Sequence, residues 1–330
     1  MTRVEAAAPV RLDFAGGWTD VPPFSAREGG VVVTASIALH ARAIVQLGGE
    51  MLHLVAEDLD DAVDLALDRA VDAGARLALL TAALRMLPVG ACRLTTRSDA
   101  PPGSGLGSSG ALDVALVAAL TLARGESLDP LAVAARGCYL ESVEARIPGG
   151  RQDQYAAALG GFRCFRFDDP AVAVEPIALD RVFAAELERR LVLCYMGASR
   201  FSGTTIVRVA DAYQRGDRRI ASALHDLRES ACLMAEALRA ADLAQVGRLL
   251  RRNWVAQQSL DAGMCTPQMA RLERAMDDVG VLGGKAAGSG AGGSMFFLTA
   301  DDPAPAVAAA RNAGVTVLPV QWEPRGVRAW

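Results

Sequence analysis

The chain has 330 residues, 52% of them hydrophobic and 22% charged, which is typical of a globular protein with one large or two medium domains. A formal net charge of −4 and the lack of any run of basic residues exclude a nucleic-acid-binding surface. The sequence shows neither the roughly 18 apolar residues that a membrane span needs nor a signal-peptide core. We therefore expect a cytoplasmic protein without a membrane partner, and its six scattered cysteines predict free thiols.

The first third of the chain alternates strand-like runs with turns. Runs of β-branched and apolar residues predict strands at Val10–Phe14, Val31–Ile37, Ala41–Leu47 and Leu52–Ala56. Between the last two, Gly48-Gly49 predicts a hairpin turn. A helix over Ala73–Leu87 and a strand over Cys92–Arg97 follow.

The rest of the chain is richer in helices. Ala111–Arg124 is almost wholly apolar and predicts a buried helix, and Pro130–Arg146 predicts a helix that ends before Pro148. The remaining predicted elements are strands at Phe162–Phe167, Leu191–Met196, Met295–Leu298 and Val315–Trp322, helices through Gly203–Met276, and a helix at Pro303–Ala313. This change from strands to helices predicts an α+β protein with two domains, residues 1–190 and 191–330.

The segment Pro101–Gly110, with the sequence PPGSGLGSSG, leads directly into the predicted buried helix. A Gly/Ser loop before a helix N-terminus is an anion site, because its N–H groups point outward and the helix dipole favours negative charge. The segment lacks the Gly-Lys-Ser/Thr ending of a Walker A loop, so a bound nucleotide must obtain its magnesium and catalytic charge from elsewhere.

Two other segments carry candidate binding residues. In GGWTD, Asp20 follows a strand and a Gly-Gly break, and its carboxylate either caps the turn before Pro22-Pro23 or accepts hydrogen bonds from two adjacent sugar hydroxyls. Lys285 is the only lysine among 34 basic residues and lies in GGKAAGSGAGG. It is either a chance survivor of a bias toward arginine or a compact ammonium placed beside a phosphate, where a planar guanidinium would not fit.

Four motifs occur in order along the chain: APVR with GGWTD, then PPGSGLGSS, then an Asp-Gln pair after a Gly-Gly turn, then GGKAAGSGAGG. In this order and spacing, from Ala8 to Leu298, they resemble the GHMP kinases, which include galactose, homoserine, mevalonate and phosphomevalonate kinases. Within that superfamily PGGRQDQYAAALGGF is most similar to the kinases of D-glycero-D-manno-heptose 7-phosphate, although Arg151 stands where those usually show lysine. The Trp18 of GGWTD is instead similar to the L-fucokinases.

The resemblance implies a fold and a reaction. The fold is the α+β GHMP kinase fold, a strand-rich N-terminal domain with the phosphate loop and a ferredoxin-like, helix-rich C-terminal domain. The reaction is ATP- and Mg²⁺-dependent phosphorylation of the anomeric hydroxyl of a sugar, with heptose 7-phosphate giving the 1,7-bisphosphate for nucleotide-activated heptose synthesis. L-fucose or another unphosphorylated hexose is the alternative substrate, and a non-catalytic sensor of sugar and ATP is the alternative class. A homodimer is compatible with the sequence.

The resemblance also assigns the site residues. Asp153 is the catalytic carboxylate, and Arg11 is its charged partner. Binding of Mg²⁺ is assigned to Ser109 and Glu141. Glu141 is preferred to Glu144 because its twelve-residue interval to Asp153 is similar to that of galactokinases. The sugar is assigned to Asp20, Thr19, Gly17, Arg151, Gln154 and Arg200. The nucleotide is assigned to Pro102, Gly103, Ser104, Gly105, Leu106, Gly107, Ser108, Ser109 and Gly290. Candidates for binding a phosphate on the substrate itself are Arg151, Arg200 and Lys285.

Overall fold

A computed structural model describes residues 2–67, 77–197 and 203–330. The described strands are β1 (Arg3–Ala15), β2 (Gly30–Leu47), β3 (Leu52–Ala56), β4 (Asp61–Leu65), β5 (Cys92–Ser98), β6 (Phe162–Asp168), β7 (Ala171–Pro176), β8 (Leu191–Tyr195), β9 (Gly283–Ala286), β10 (Ser294–Leu298), β11 (Thr316–Leu318) and β12 (Arg328–Ala329). The described helices are α1 (Phe24–Glu28), α2 (Ala78–Met86), α3 (Ser108–Ala123), α4 (Pro130–Tyr139), α5 (Gln152–Leu159), α6 (Arg181–Arg190), α7 (Gly203–Gln214), α8 (Arg218–Arg239), α9 (Leu243–Gln258), α10 (Pro267–Asp278) and α11 (Ala304–Asn312).

The first sheet has the order β12-β1-β2-β5-β3-β4, and β6 and β7 extend it from the first half of β2. The long strand β2 pairs with β6 over Gly30–Ala35 and with β5 over Ala41–Leu47. The prediction of a β2–β3 hairpin at Gly48-Gly49 is wrong, because β2 and β3 are not neighbours in the sheet. Strand β5 lies between them and pairs with β3 in parallel. The chain does turn at these glycines, but β5 takes the edge of β2 that a hairpin partner would need.

The predicted buried helix is α3, which packs against β1 and β2. It is buried over nearly its whole length, from Gly110 to Thr121, as its lack of a polar face predicts. One ionisable group, the carboxyl of Asp113, is buried with the apolar side chains of this helix. Because α3 runs through the main core, its N-terminus holds the phosphate loop in a fixed place.

The second sheet has the antiparallel order β11-β8-β10-β9. Helices α10 and α11 contribute to the apolar cluster on this sheet, and α9 packs against β9. Strands β8 to β11 follow the predicted boundary near residue 190, whereas β12 crosses back and pairs with β1. The strand predicted over Val315–Trp322 is shorter in the structure, where β11 ends at Leu318. Trp322 instead forms an isolated bridge with Ile37 of the first sheet.

Some predicted elements differ from those found. The helix predicted over Pro130–Arg146 ends as an α-helix at Tyr139 and continues as a single π-helical turn, Leu140–Glu144. Of the helix predicted over Ala73–Leu87, residues 73–76 lie outside the described residues. Elements present in the structure without a prediction are β4, β7, β9, β12, α1, α5 and α6. Among the described helices, none is long and apolar enough to cross a membrane.

Candidate active site

Two glycine-rich segments approach each other in the structure: Pro101–Gly110, called the phosphate loop below, and Gly283–Gly293. A cleft of about 330 Å³ lies where they meet. Its walls come from β1 and the loop after it, the phosphate loop, the π-helical turn, the start of α5, and α7. The residues that line it are Arg11, Asp13, Gly17, Trp18, Asp20, Val21, Gly103, Ser104, Gly105, Gly107, Ser108, Ser109, Glu141, Gly149, Gly150, Gln152, Asp153, Ile206, Gly288 and Ser289.

The phosphate loop presents hydrogen-bond donors to this cleft. Gly107 is the N-cap of α3 with φ +76°, and no side chain caps the helix. The first N–H groups of the helix are therefore left for a ligand, which is how helix N-termini bind phosphates. The buried hydroxyls of Ser104 and Ser108 also make no hydrogen bond within the described residues. A Cβ at position 107 would lie 3.1 Å from Asp153 Cγ, so glycine lets the Asp153 carboxylate approach the loop.

Arg11 holds Asp153 against the phosphate loop. Its Nε and Nη2 lie 2.8 and 2.7 Å from Asp153 Oδ1, and its Nη1 donates to the carbonyls of Gly105 (2.9 Å) and Ala287 (3.1 Å). The Arg11 side chain is 6% exposed, whereas that of Asp153 is 28% exposed. One guanidinium therefore joins both glycine-rich segments to a carboxylate on the first turn of α5, and the second oxygen of Asp153 remains open to a ligand.

Asp20 caps the helix that carries Asp153. Its Oδ2 accepts hydrogen bonds from the N–H groups of Arg151 (2.7 Å) and Gln152 (2.9 Å) at the start of α5. A Cβ at Gly150 would lie 2.0 Å from this oxygen, so glycine is required there. Burial raises the pKa of Asp20 to about 6, repulsion by Asp153 and Asp13 adds to the rise, and the two backbone hydrogen bonds oppose it.

This raised pKa predicts a pH dependence of stability. The folded protein binds a proton at Asp20 more tightly than the unfolded chain, so its free energy of unfolding should fall as pH rises from about 4 to about 6. The contribution of Asp20 is on the order of 3 kcal/mol. Urea unfolding across this range should show a shallower fall for Asp20→Asn. The exposed Asp58→Asn should keep the wild-type slope, and equal slopes for all three proteins would contradict the assignment.

Glu141 and Ser109 form a hard-oxygen pair at the edge of the phosphate loop. Ser109 Oγ donates to Glu141 Oε1 at 3.0 Å, and both residues line the cleft, whereas Glu144 does not. Both glutamates lie in the π-helical turn, in which the N–H of Ala145 donates to the carbonyl of Leu140, five residues back. Burial, followed by the charge of Asp153, raises the pKa of Glu141 to about 7. Mg²⁺ prefers oxygen ligands and keeps positions for phosphate and water, so this pair fits it.

Two side chains assigned to the sugar do not reach the cleft. Thr19 is fully buried, and its hydroxyl donates to the carbonyl of Gly16 and accepts from the N–H of Val31. Gln154 is also fully buried, and its amide faces Asp113 and Glu141. These are corrections to the sequence-based assignment: Thr19 closes the loop that presents Asp20, and Gln154 supports Glu141. Gly17 does line the cleft.

The cations assigned to a substrate phosphate are also placed differently. The Arg151 guanidinium lies 5.2 Å from the centroid of the Phe167 ring and donates to the carbonyl of Pro170, away from the cleft. Lys285 lies on β9, fully buried, with Nζ 3.0 Å from Asp13 Oδ2. Burial lowers the pKa of Lys285, and Asp13 opposes this effect. Lys285 is thus a structural ion-pair partner of a residue in the cleft wall, and Arg200 lies outside the described residues.

Three nucleotide assignments are refined by the structure. Pro102 and Leu106 do not line the cleft; the Leu106 carbonyl instead accepts the backbone N–H of Arg11 at 2.9 Å. In the third motif Gly288 and its neighbour Ser289 line the cleft, and Gly290 does not. A Cβ at Gly288 would lie 2.2 Å from the Gly105 carbonyl, so the two glycine-rich segments meet backbone to backbone.

Sequence reasoning missed several lining residues. Asp13 stands two positions after Arg11 on β1, and the two-residue period of a strand could have placed both on one face. Trp18 has φ +81°, a conformation that costs a bulky residue strain and often marks a functional site. Gln152 adjoins Asp153, but no local pattern pointed to Ile206 of α7, because the contact is purely tertiary.

Comparisons with known proteins show which family the chain belongs to. Residues 71–161 match the profile of the GHMP kinases N terminal domain and residues 234–315 that of the GHMP kinases C terminal domain, together more than half of the chain. The D-glycero-alpha-D-manno-heptose 7-phosphate kinase of Campylobacter jejuni is 28% identical over 342 aligned positions, covering 100% of this chain and 99% of that protein. The L-fucokinase/L-fucose-1-P guanylyltransferase of Bacteroides fragilis is 28% identical over 333 positions, covering 91% of this chain but 35% of that protein. The crystal structure of a D-glycero-D-manno-heptose 1-phosphate kinase from Bacteroides thetaiotaomicron superposes with a TM-score of 0.80 at 26% identity, over 99% of this chain and 98% of that one.

Proposed function

The chain belongs to the GHMP kinases, and from that premise we propose that it is a cytoplasmic sugar kinase acting on D-glycero-D-manno-heptose 7-phosphate. The reaction would transfer the γ-phosphoryl group of ATP to the anomeric hydroxyl and give the 1,7-bisphosphate. The observation that carries this choice is the end-to-end similarity to a heptose 7-phosphate kinase, which covers 99% of that relative. The bifunctional fucokinase relative is matched over only 35% of its length.

The geometry of the cleft supports phosphoryl transfer. The anomeric oxygen attacks the γ-phosphorus, the bond to the bridging oxygen of ADP breaks, and the hydroxyl proton passes to the free oxygen of Asp153. Arg11 keeps this carboxylate oriented and supplies fixed positive charge beside the transferring group. The open N–H groups at the start of α3 bind phosphate oxygens. Bound Mg²⁺, held by Ser109 and Glu141, would neutralise phosphate charge.

L-fucose or another unphosphorylated hexose is the second candidate substrate. Among the described residues that line the cleft, Arg11 is the only positively charged side chain, and its guanidinium is already paired with Asp153. The apolar side chains of Trp18, Val21 and Ile206 contribute to the same wall. Because Arg200, a candidate for binding a substrate phosphate, lies outside the described residues, the substrate comparison is the decisive experiment.

The test is ADP release with ATP and Mg²⁺ on three sugars: D-glycero-D-manno-heptose 7-phosphate, L-fucose and D-mannose. Asp153→Asn serves as the blank, and phosphorus NMR of the product locates the new phosphate on the anomeric carbon. We expect turnover on the heptose phosphate with kcat/KM far above that on either free hexose. Turnover of a free hexose alone would make that hexose, and not the heptose phosphate, the substrate. Binding of sugar and ATP without ADP release would instead support a non-catalytic sensor.

A further inference from the structure

Asp113 is an unusual residue for the centre of a core helix. It lies on α3 with no exposed surface, and apart from Thr121 the other buried residues of that helix are apolar or glycine. Burying a carboxyl group costs free energy unless hydrogen bonds replace its water. Asp113 Oδ2 accepts one hydrogen bond, from Gln154 Nε2 at 3.0 Å, and Oδ1 has no partner within the described residues. Packing alone therefore gives no reason for a carboxyl group here.

The amide of Gln154 connects Asp113 to the cleft. Its Nε2 also donates to Glu141 Oε2 at 2.7 Å, so both of its hydrogens are directed at carboxyl oxygens. On the other side of the amide, Cys138 Sγ lies 3.7 Å from Gln154 Oε1. Burial raises the pKa of the Cys138 thiol, which therefore remains a donor. In this orientation both hydrogens and the oxygen of the Gln154 amide have partners.

Glu141 is consequently held at both of its oxygens. Oε2 accepts from Gln154, and Oε1 accepts from Ser109 Oγ at 3.0 Å. Ser109 and Asp113 are four residues apart on α3, which places them on one face of the helix, one turn from each other. Helix α3 thus supports the Glu141 side chain in two ways, directly through Ser109 and indirectly through Asp113 and Gln154.

We propose that Asp113 and Gln154 are positioning residues that fix the Glu141 carboxylate for binding of the metal–nucleotide complex. Neither residue lines the cleft, so their effect is exerted through Glu141. The proposal rests on the proposed function in assigning the metal to Glu141, but it does not depend on which sugar is phosphorylated. Groups that orient a metal ligand typically contribute about 10–100-fold to metal affinity.

The test compares variants at position 113 by the binding of Mn²⁺ in the presence of ADP, followed by the electron paramagnetic resonance signal of free Mn²⁺. Asp113→Leu removes the acceptor for Gln154 at similar volume and should weaken Mn²⁺ binding by about 10–100-fold. Asp113→Asn keeps an acceptor oxygen and should stay within about threefold of wild type. Thr121→Val, at the other end of the same helix, is the matched control and should bind Mn²⁺ as wild type does.

Two further variants separate the possible failures. Gln154→Met should weaken Mn²⁺ binding as Asp113→Leu does, and it replaces the test if the leucine variant does not fold, as judged by circular dichroism. Wild-type Mn²⁺ binding in a folded Asp113→Leu or Gln154→Met protein would overturn the proposal. Glu141→Gln is the reference: if it binds Mn²⁺ normally, the metal assignment is wrong, and with it this inference, whatever sugar is turned over.

Discussion

Replacing Asp153 by asparagine should lower kcat by about 10²–10⁴-fold while ATP affinity stays near the wild-type value. Asparagine keeps the shape and one acceptor oxygen for Arg11, but it cannot take the proton of the attacking hydroxyl. In the proposed function the nucleotide phosphates bind the uncapped N-terminus of α3, which the substitution does not change. ADP release and titration calorimetry with an unhydrolysable ATP analogue measure the two quantities separately.

Asp277→Asn is the matched control for this prediction. Asp277 also pairs with an arginine, with its carboxylate 2.6 Å from Arg251 Nη1, but it lies outside the cleft. This variant should keep wild-type kcat. Turnover of the Asp153 variant within a few-fold of wild type would show that another group accepts the proton.

Replacing Arg11 by methionine should have the second-largest effect, on both activity and stability. The charge beside Asp153 is lost, and we expect kcat to fall by about 10²–10³-fold, as for other donors that stabilise developing negative charge. The carbonyls of Gly105 and Ala287 also lose their donor, which should lower the free energy of unfolding by about 1–3 kcal/mol. Steady-state kinetics and urea unfolding measure the two effects.

The control for Arg11 is an arginine with a similar backbone role elsewhere. Arg163 donates to the carbonyls of Gly160 (2.9 Å) and Leu159 (3.3 Å) and does not line the cleft. Arg163→Met should destabilise the protein without a comparable loss of kcat. If both arginine variants lose activity in proportion to stability, Arg11 has no role beyond holding the fold.

The sequence was most informative where the chemistry is local. The glycine-rich loop and the helix after it predicted the position of Ser109, and the ordered motifs placed Arg11, Asp20 and Asp153 around one cleft. Ser109, Asp20 and Asp153 lie in a loop or at the start of a helix, where a short pattern determines the backbone path, whereas Arg11 lies inside β1. The choice of Glu141 over Glu144 depended on spacing alone and agrees with the residue that lines the cleft.

Features set by distant partners were not predictable in the same way. Lys285 pairs with Asp13 across 272 residues, so no local pattern could show that its ammonium is buried. The insertion of β5 beside β2 depends on which edge is free in the folded sheet. The direction of the Gln154 side chain depends on a carboxyl group on another helix. In each case a tertiary contact, and not the local sequence, decides the outcome.

The return of β12 to the first sheet has a consequence for the order in which the protein is made. The N–H of Glu5 donates to the carbonyl of Trp330, and the N–H of Trp330 donates to that of Glu5, each at 2.9 Å. The ribosome therefore exposes β1, which carries Arg11, long before its outer neighbour exists. Until β12 emerges, that edge of the nascent sheet is open to pairing with another chain. Pairing with β12 therefore closes this edge of β1 only late in synthesis.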